Sequence, residues 1–455
     1  MRELLLAALR DFFLPTPPEK NYWLAYSGGL DSQVLLTLCA ELRAAPTFSQ
    51  IKITAIHINH HLSPHAENWA QHCRRTCAAF DFSYVEENIH LNILPSESLE
   101  EVARKKRYEI FAKIMQADDV LLTAHQQDDQ AETLLLQLLR GAGPKGLAAM
   151  PSIKSFACGL HARPLLNFSR AQLHHYAIEK KLQWIEDESN ANIDFTRNFI
   201  RHRILAPLKT EWPTVTASIA RSAAHCAEAQ SLLEEYGVDE LKKMSGSKTN
   251  TLSVNKLLQV DQKKQKLLLR CWIQQQGFIL PNTNKLIAIC EYVLLAAQDS
   301  QAHVRWQQVS LRRYRDDLYL MPLLPPHDVT QEITWDLSTP LCLSGIGKLQ
   351  AVLTPPILTN EQDRLRADIH QVTVRFRGGG EKIKLRDRGQ HRLKNLFQEW
   401  DVPPWLRDRI PLLYAGKELI AVVGFAIAEF ALAGEDEMGY LITSLRGTER
   451  RSNPE

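Results

Sequence analysis

The first 210 residues alternate between short apolar runs and longer stretches in which apolar positions recur every three or four residues. The runs predict strands at residues 22–26, 51–58, 82–86, 119–124 and 160–166. The longer stretches predict helices at residues 30–42, 65–80, 98–115, 126–140 and 169–181. Strands that alternate with helices form a parallel, doubly wound α/β sheet, which binds ligands at the carboxyl ends of its strands.

The pattern changes twice further along the chain. Helical periodicity dominates residues 215–295, and the proline-rich segment 321–326 is typical of a linker. Short alternating segments at 372–376 and 419–425 then indicate strands. We therefore predict an α/β domain at residues 1–212, a small helical domain at 213–325 and a small α+β C-terminal domain at 326–455.

The composition narrows the class of protein only slightly. The chain has 455 residues, 45% hydrophobic and 23% charged, which suits two or three globular domains. Its net charge of +2 is too small to show a nucleic-acid partner by itself. Eight cysteines without a Cys-x-x-Cys motif favour reduced thiols in the cytoplasm. Since no apolar run approaches membrane-spanning length, we expect no membrane association.

A glycine turn between the first strand and the first helix is the strongest candidate for a binding site. Paired glycines let the backbone fold closely around an anion, and the following helix adds its positive end. The Lys-Ser/Thr pair of a Walker A loop is missing, and Asp31 beside a phosphate needs a cation, so we predict that Asp31 binds Mg²⁺. The alternative is a simple turn capped by polar side chains. The predicted nucleotide-binding residues are Ser27, Gly28, Gly29, Leu30, Asp31 and Ser32.

A second polar group follows the fourth predicted strand, at the same edge of the sheet. His125, Asp129 and Glu132 have helical spacing and would form one polar stripe. Such a stripe can hold a magnesium ion and orient a nucleophile. The alternative is that Asp128 and Asp129 only stabilise the helix N-terminus, with His125 at the cap.

The helix between these two motifs carries a candidate phosphate ligand. Glu100 and Arg104 are four residues apart, a pair that supports any exposed helix. The functional alternative is that an arginine reaches a phosphate on which negative charge develops during reaction.

These motifs occur in an order that resembles a known family. The glycine turn resembles the pyrophosphate loop (PP-loop) of ATP pyrophosphatases, which split ATP between its α- and β-phosphates and adenylate a substrate. The ordered motifs are Ser27-Gly-Gly-Leu-Asp-Ser32, His57-Ile-Asn-His60, Glu101-x-x-Arg104-x-x-Arg107-Tyr108, His125-x-x-Asp128-Asp129-x-x-Glu132, Arg140-Gly-x-Gly143, Arg163-Pro-Leu-Leu166 and Arg197-Asn-x-x-Arg201. The set resembles the bacterial tRNA(Ile)-lysidine synthetase family over most of the chain. Gln126 departs from it, since the family often has a second histidine there.

The resemblance implies a reaction and roles for the residues. ATP, with Mg²⁺, adenylates the wobble cytidine of tRNA(Ile) with anticodon CAU, and the amine of L-lysine then displaces AMP from carbon 2. The products are lysidine, AMP and pyrophosphate. By the same resemblance the catalytic residues are Arg104, on the α-phosphate, and His125 with Asp129, on the reacting base or lysine. Which carboxylate accepts the proton of the lysine amine stays open.

Basic and loop residues elsewhere are predicted to bind the substrates. Residues 375–394 contain eight basic and two acidic residues, a net charge of +6, and aromatic side chains flank the run. A solvated face is the alternative to a tRNA-binding surface there, and a helix-ending turn is the alternative around Lys145. The predicted substrate-binding residues are Glu132, Lys145, Arg197, Arg201, Arg203, Lys382, Lys384, Arg386 and Arg388.

Two other functions fit parts of the sequence. A PP-loop tRNA thiolase would share the adenylation step, but it needs reactive cysteine pairs or iron–sulfur ligands. A non-enzymatic tRNA-binding protein would not need Asp31, Arg104, His125 and Asp129 together. The sequence leaves a homodimer open.

Overall fold

The computed structural model describes residues 1–13, 20–89, 91, 98–297, 300–356 and 363–446. The chain divides into two compact units, Met1–Glu234 and Glu235–Glu455. This division does not decide the predicted boundaries at residues 212 and 325, which stay predictions. None of the helices in the described ranges is both long and apolar enough to cross a bilayer.

The first unit is built around a sheet with helices on it. Its strands are β1 (Asn21–Ala25), β2 (Lys52–Asn59), β3 (Ser83–Asn88), β4 (Val120–Leu122), β5 (Ile153–Phe156) and β6 (Gly159–Ala162). Its helices are α1 (Arg2–Phe13), α2 (Leu30–Arg43), α3 (Ala66–Ala79), α4 (Leu99–Ile114), α5 (Gln127–Leu139), α6 (Pro144–Leu147), α7 (Arg170–Glu179), α8 (Thr196–Phe199), α9 (Ala206–Glu211) and α10 (Val215–Lys243), which runs on into the second unit. A π-helical segment, Ile200–Leu205, joins α8 to α9.

The strand order is β3-β2-β1-β4-β6-β5, and all neighbours are parallel except β5, which is antiparallel to β6. The predicted doubly wound parallel sheet is therefore confirmed. All three residues of β4 are buried, as expected for a central strand covered by helices on both faces. Helix α1 and strand β5 were not predicted, and β5 is mostly exposed, so its sequence has no apolar alternation to reveal it.

The topology places two loops side by side. The chain crosses from β1 to β2 on one side, while β4 pairs with β1 on the other, so β1 and β4 flank the point where the strand order reverses. Ligands of doubly wound sheets bind in the crevice at this point. The loop after β1 contains Ser27, Gly28 and Gly29, and Leu30, Asp31 and Ser32 form the first turn of α2. The loop after β4 contains His125, as the sequence predicted.

The second unit combines helices with antiparallel sheets. Its first part has α11 (Val254–Leu258), α12 (Gln262–Gln275), α13 (Thr283–Ala288) and π-helical Ile289–Val293, with the strands β7 (Leu252–Ser253), β8 (His303–Trp306), β9 (Val309–Tyr314) and β10 (Asp317–Pro322). These strands form a sheet in the order β7-β10-β9-β8. The helices were predicted from periodicity, whereas the sheet was not.

The remainder of the second unit confirms the predicted α+β character. It contains β11 (Ile333–Trp335), β12 (Leu341–Leu343), β13 (Gly347–Thr354), β14 (Leu365–Arg366), β15 (Val372–Arg375), β16 (Lys382–Leu385), β17 (Gly389–Arg392), α14 (Leu393–Glu399), α15 (Pro404–Arg407), β18 (Leu412–Ala415), β19 (Glu418–Val422), β20 (Ala426–Ile427) and β21 (Gly439–Arg446). The sheets have the orders β11-β15-β18-β19-β20 and β12-β13-β21-β14, and β16 and β17 form a hairpin.

Candidate active site

The loop after β1 turns sharply because Gly28 adopts a left-handed conformation, with φ of +79°. A Cβ on residue 28 would lie 2.5 Å from Cδ1 of Ile185 and 2.9 Å from Sγ of Cys73, so a side chain there would also displace its neighbours. A Cβ on residue 29, in contrast, would have Oγ of Ser27 as its nearest neighbour, at an ordinary contact distance of 3.5 Å. Packing therefore does not explain the second glycine, whereas close approach by a phosphate would.

The hydroxyl groups of this loop stabilise its shape. Ser32 donates to the carbonyl oxygen of Gly29 at 2.9 Å, and its Oγ lies 3.1 Å from Oγ of Ser27. Leu30 is buried at the first position of α2 and anchors the loop in the core. The six predicted nucleotide-binding residues thus form one connected turn at the N-terminus of α2.

Asp31 fits the predicted role of a magnesium ligand. Its Oδ1 is buried and has no hydrogen-bond partner among the described residues. Burial and the nearby Asp129 carboxylate raise the pKa of Asp31 to about 7. A buried oxygen without a partner is costly unless a cation binds it. The described residues contain no group of three His, Cys, Asp or Glu side chains that would hold a metal alone, and Mg²⁺ needs only one or two carboxylates when phosphates and water complete its shell.

The start of α5 shows that Asp129 has a structural role. Gln126 and Asp129 form a capping box, in which Gln126 Oε1 accepts from the amide of Asp128 and Asp129 Oδ2 accepts from the amide of Gln126 at 3.0 Å. The capping alternative is thus part of the structure. It uses only one oxygen of Asp129, because Oδ1 accepts from Nη2 of Arg197 at 3.0 Å.

Glu132 lies below this cap with its side chain 0% exposed. Its two oxygens accept from Nε of Arg197 at 2.5 Å and Nε of Arg201 at 2.6 Å. One buried carboxylate therefore holds two arginines from another segment of the chain against α5. This arrangement gives Glu132 a positioning contact and leaves its predicted binding to substrate an untested hypothesis.

A cleft of about 710 Å³ opens between these elements in the first unit. This volume is sufficient for a nucleotide-sized ligand. Of the predicted site residues, the cleft is lined by Ser27, Asp31, Ser32, Arg104, His125, Asp129, Arg197 and Arg201. The structure therefore brings the two segments that the sequence assigned to one edge of the sheet together with Arg104 of α4 and with Arg197 and Arg201.

Other predicted residues lie elsewhere. Arg203 is exposed and does not line the cleft. Lys145, on α6, forms an ion pair with Glu234 at 3.4 Å. The four basic residues of the C-terminal run belong to the second unit and are considered with it below.

Helix α4 supplies two arginines to the cleft. The guanidinium of Arg104 is exposed and lies 5.2 Å from the centre of the Tyr108 ring. Arg107 also lines the cleft, and burial together with the charge of Arg104 lowers its pKa. Neither arginine forms an ion pair with another described residue. Unneutralised positive charge in a cleft attracts polyanions such as polyphosphates.

Arg107 and Asn59 belong to the sequence motifs but were not among the predicted site residues. Asn59 Nδ2 is buried beside the cleft without a hydrogen-bond partner in the described part of the chain. An unsatisfied amide at the end of β2 is a candidate donor to a ligand. The position of Asn59 directly after a predicted strand was the only available signal.

A buried polar chain behind His125 was also missed. Thr123 Oγ1 lies 2.7 Å from Nδ1 of His125 and 2.8 Å from Nε2 of His161, and Arg163 Nη2 lies 3.1 Å from Nδ1 of His161. Burial and the charge of Arg163 lower the pKa of His161 to about 2. Burial and the charge of Arg197 lower the pKa of His125 well below its usual value. Both imidazoles are therefore neutral at physiological pH.

We expect His161 to make folding pH-dependent. Its pKa is about 2 in the folded chain and about 6.5 when unfolded, so below pH 6.5 only the unfolded state binds its proton. Stability from this residue is complete above pH 6.5 and falls with pH by at most ~1.4 kcal/mol per unit. Between pH 7.5 and 5 the His161→Gln variant should lose ~2 kcal/mol less than the wild type. Urea unfolding at both pH values measures this, and equal losses would contradict it.

The basic run of the second unit is more neutralised than its sequence indicates. Carboxylates from outside the run pair with Arg375, Arg377, Lys384 and Arg388, at 3.1, 3.6, 2.9 and 2.7 Å. Lys382 and Arg386 are exposed and form no ion pair with a described residue. Lys382 and Lys384 lie on the exposed face of the β16–β17 hairpin, whose other face is buried through Ile383 and Leu385.

Comparison with known families agrees with this architecture. A model described as a PP-loop domain matches residues 4–208, one described as a TilS substrate binding domain matches 252–319, and one described as a TilS substrate C-terminal domain matches 372–443. The first match contains every residue found to line the cleft.

Similar proteins cover almost the whole chain. A tRNA(Ile)-lysidine synthase of Coxiella burnetii is 41% identical over 434 residues, 95% of each chain. A tRNA(Ile)-lysidine synthase of Methylococcus capsulatus is 40% identical over 92% of this chain and 95% of its own. Among solved structures, the U34-tRNA thiolase NcsA of Methanococcus maripaludis matches 50% of this chain and 78% of its own, with 15% identity and a TM-score of 0.43, too low to bear on function. Because the two synthases are 41% and 40% identical to the chain over 95% and 92% of its length, the chain belongs to the tRNA(Ile)-lysidine synthase family.

Proposed function

We propose that this chain catalyses ATP-dependent formation of lysidine on tRNA(Ile). The observation that carries the proposal is that one cleft contains the PP-loop turn, the arginines of α4 and Asp31, whose buried Oδ1 has no hydrogen-bond partner among the described residues. The family relationship supports the same conclusion. The finer reaction is attachment of L-lysine to carbon 2 of the wobble cytidine in a CAU anticodon, through an adenylated cytidine, with AMP and pyrophosphate as products.

The cleft supplies a site for the phosphates. Amide groups of the turn at Gly28 and Gly29 and the N-terminus of α2 offer hydrogen-bond donors and positive potential. Arg104 and Arg107 line the same cleft, and their positive charge would stabilise the negative charge that develops on the α-phosphate during attack by the base. Asp31 would hold Mg²⁺, and the ion would supply positive charge to the phosphates and to the pyrophosphate leaving group.

The start of α5 serves the second substrate. L-Lysine carries a cationic amine, which must lose a proton before it attacks carbon 2. Asp129 is a carboxylate at the cleft surface, and it can attract the ammonium group and accept its proton. Arg197 binds the same carboxylate and limits its movement.

The thiolase alternative is less compatible with the structure. Cys73 and Cys77, the closest pair in sequence, are both fully buried in the core. Burial raises the pKa of Cys77 to about 12 and also raises that of Cys73. Sulfur transfer needs accessible thiolates, which this pair cannot provide at neutral pH.

All eight cysteines are free. Free thiols fit the proposed location in the cytoplasm. The homodimer stays a prediction.

We expect the protein to attach labelled lysine to an unmodified tRNA(Ile) transcript with anticodon CAU, with one AMP and one pyrophosphate released per lysine. The same transcript with uridine at the wobble position should accept none, because it lacks the amino-substituted pyrimidine on which the reaction depends. Thin-layer chromatography of labelled ATP identifies the nucleotide product. Release of ADP and phosphate, or lysine attachment to both transcripts, would contradict the proposal.

The β16–β17 hairpin is proposed to bind the tRNA backbone. Neutralising Lys382, Lys384, Arg386 and Arg388 together should weaken tRNA binding and lower its log–log salt slope, by about one unit at most for each lost phosphate contact. Lysine attachment should survive at saturating tRNA. A salt series of affinity measurements decides this, and unchanged slope and affinity would make the hairpin a solvated surface.

Two double variants refine this test. Lys382 and Arg386 have no carboxylate partner among the described residues, whereas Lys384 and Arg388 pair with Glu429 and Glu399. We expect the Lys382→Ala/Arg386→Ala variant to lose more affinity than the Lys384→Ala/Arg388→Ala variant, because ion-paired side chains must leave their partners to contact phosphate.

A further inference from the structure

The polar chain behind His125 has no part in the function proposed so far. It consists of Arg163, His161 and Thr123, which are 3%, 0% and 6% exposed. The rings of Tyr108 and Phe156 lie 5.7 and 6.0 Å from that of His161 and close it off. Polar groups this deeply buried are nearly always hydrogen-bonded. The donor and the acceptor of each bond can therefore be assigned in turn, starting from a group that can only donate.

Arg163 is the group that can only donate. A guanidinium cannot accept a hydrogen bond, so Nδ1 of His161 must accept from Nη2 of Arg163. A second donation from Arg163 Nη1 to the carbonyl oxygen of Pro151, at 2.7 Å, holds the guanidinium in place. Neutral His161 then carries its proton on Nε2 and donates it to Oγ1 of Thr123.

The donor of the next bond, between Thr123 and His125, follows from this assignment. The hydroxyl of Thr123 has one hydrogen, and its oxygen already accepts from His161. The hydroxyl hydrogen needs an acceptor, and among the described residues the only one within hydrogen-bond distance is Nδ1 of His125, 2.7 Å away. With Nδ1 as acceptor, the proton of neutral His125 is on Nε2, for which the described residues provide no partner, and His125 lines the cleft.

We propose that Arg163, His161 and Thr123 are positioning residues that fix His125 in the tautomer with its proton on Nε2, so that His125 donates a hydrogen bond to an oxygen of the reacting groups. This rests on the proposed function, in which the candidate acceptors are the α-phosphate and the carbonyl oxygen of the base. The assignment gives His125 the role of a neutral donor that transfers no proton. It leaves acceptance of the lysine proton to a carboxylate such as Asp129.

The charges around His125 favour this role. Arg197, Arg163, Arg104 and Arg107 all disfavour a second proton on the ring. An imidazolium would also lose its bond from the Thr123 hydroxyl, since Nδ1 could no longer accept. A neutral N–H donor fixed before the substrates arrive needs no reorganisation when charge develops on the acceptor oxygen.

The test uses two substitutions at Thr123 in the full chain. Valine has nearly the same shape as threonine but no hydroxyl, whereas serine keeps the hydroxyl. The chain is labelled with ¹⁵N-histidine, and the two-bond ¹H–¹⁵N couplings that distinguish the tautomers are recorded without substrates. The signals of His125 are identified by their loss in His125→Gln.

We expect the Nε2–H tautomer for His125 in the wild type and in Thr123→Ser, and a mixture of tautomers in Thr123→Val. For Thr123→Val, kcat for lysine attachment should fall about 10–100-fold, with a smaller change in KM for ATP, and Thr123→Ser should recover most of it. A wild-type His125 with its proton on Nδ1, or equal kcat in the valine and serine variants, would overturn the proposal.

The two readouts keep this inference separate from the proposed function. The tautomer is observed on the free protein, so it is decided even if no lysine is attached to tRNA. Failure of lysine attachment in the wild type would overturn the proposed function alone. If Thr123→Val does not fold, the wild-type spectrum still decides the tautomer.

Discussion

Replacing Asp129 with alanine is expected to lower turnover by about 10²-fold or more while tRNA binding is retained, because one preorganised charge at the reacting centre is removed. Asp129 lines the cleft and its Oδ1 accepts from Nη2 of Arg197 at 3.0 Å, so the substitution removes the carboxylate and also one of the contacts of Arg197. The measurement is the single-turnover rate of lysine attachment at saturating substrates, with tRNA affinity determined in parallel.

The capping box provides the matched control for this prediction. Oδ2 of Asp129 and the side chain of Gln126 each satisfy one amide at the start of α5. Gln126→Ala removes a capping bond without changing charge in the cleft, so it should lower stability by ~1 kcal/mol and leave turnover near that of the wild type. If both variants lose turnover equally, Asp129 acts only through the helix cap.

Much of the first unit could be predicted because its determinants are local. Apolar periodicity marks most of its helices, and the fully apolar β4 marks a strand covered on both faces. Parallel strands bring their carboxyl ends to one edge, so the Ser27–Ser32 turn and the His125–Asp129 segment had to lie near one another. The geometry of Gly28 follows in the same way, since a tight turn before a helix needs a residue without Cβ.

What could not be predicted depends on partners distant in sequence. The charge of the 375–394 run is reduced by carboxylates outside it, among them Glu429 and Glu399, and no local count includes them. The bond from His161, in β6, to Thr123, directly after β4, forms only when those two strands pair. The sheet of β7 to β10 was missed because its strands are short and follow a long helical stretch.

For Glu132, the sequence predicted the position on the helix but not the partners of the side chain. Helical spacing placed it on the polar stripe with His125 and Asp129, and its association with Arg197 and Arg201 was invisible because 65 and 69 residues separate them. Because the Glu132 carboxylate is buried and accepts from both arginines, we infer that its role is to hold them in place and not to contact solvent or substrate.

Replacing Glu132 with alanine is therefore expected to destabilise the first unit by about 3–5 kcal/mol, because two arginines lose the buried carboxylate that neutralises them. Urea unfolding followed by tryptophan fluorescence measures the change. Glu109→Gln, which breaks the exposed pair of Lys106 and Glu109 at 2.9 Å, is the control and should change stability little.

Direct contact of Glu132 with tRNA would give a different result. Its removal would then change tRNA affinity at nearly unchanged stability, which would contradict the positioning role. Arg197 and Arg201 both line the cleft and both depend on Glu132, so their release should also lower turnover in the fraction that stays folded. Glu132→Gln keeps the size of the side chain but removes its charge and replaces one acceptor oxygen with an NH2 group, so a loss shared by the alanine and glutamine variants assigns the effect to the two arginine pairs.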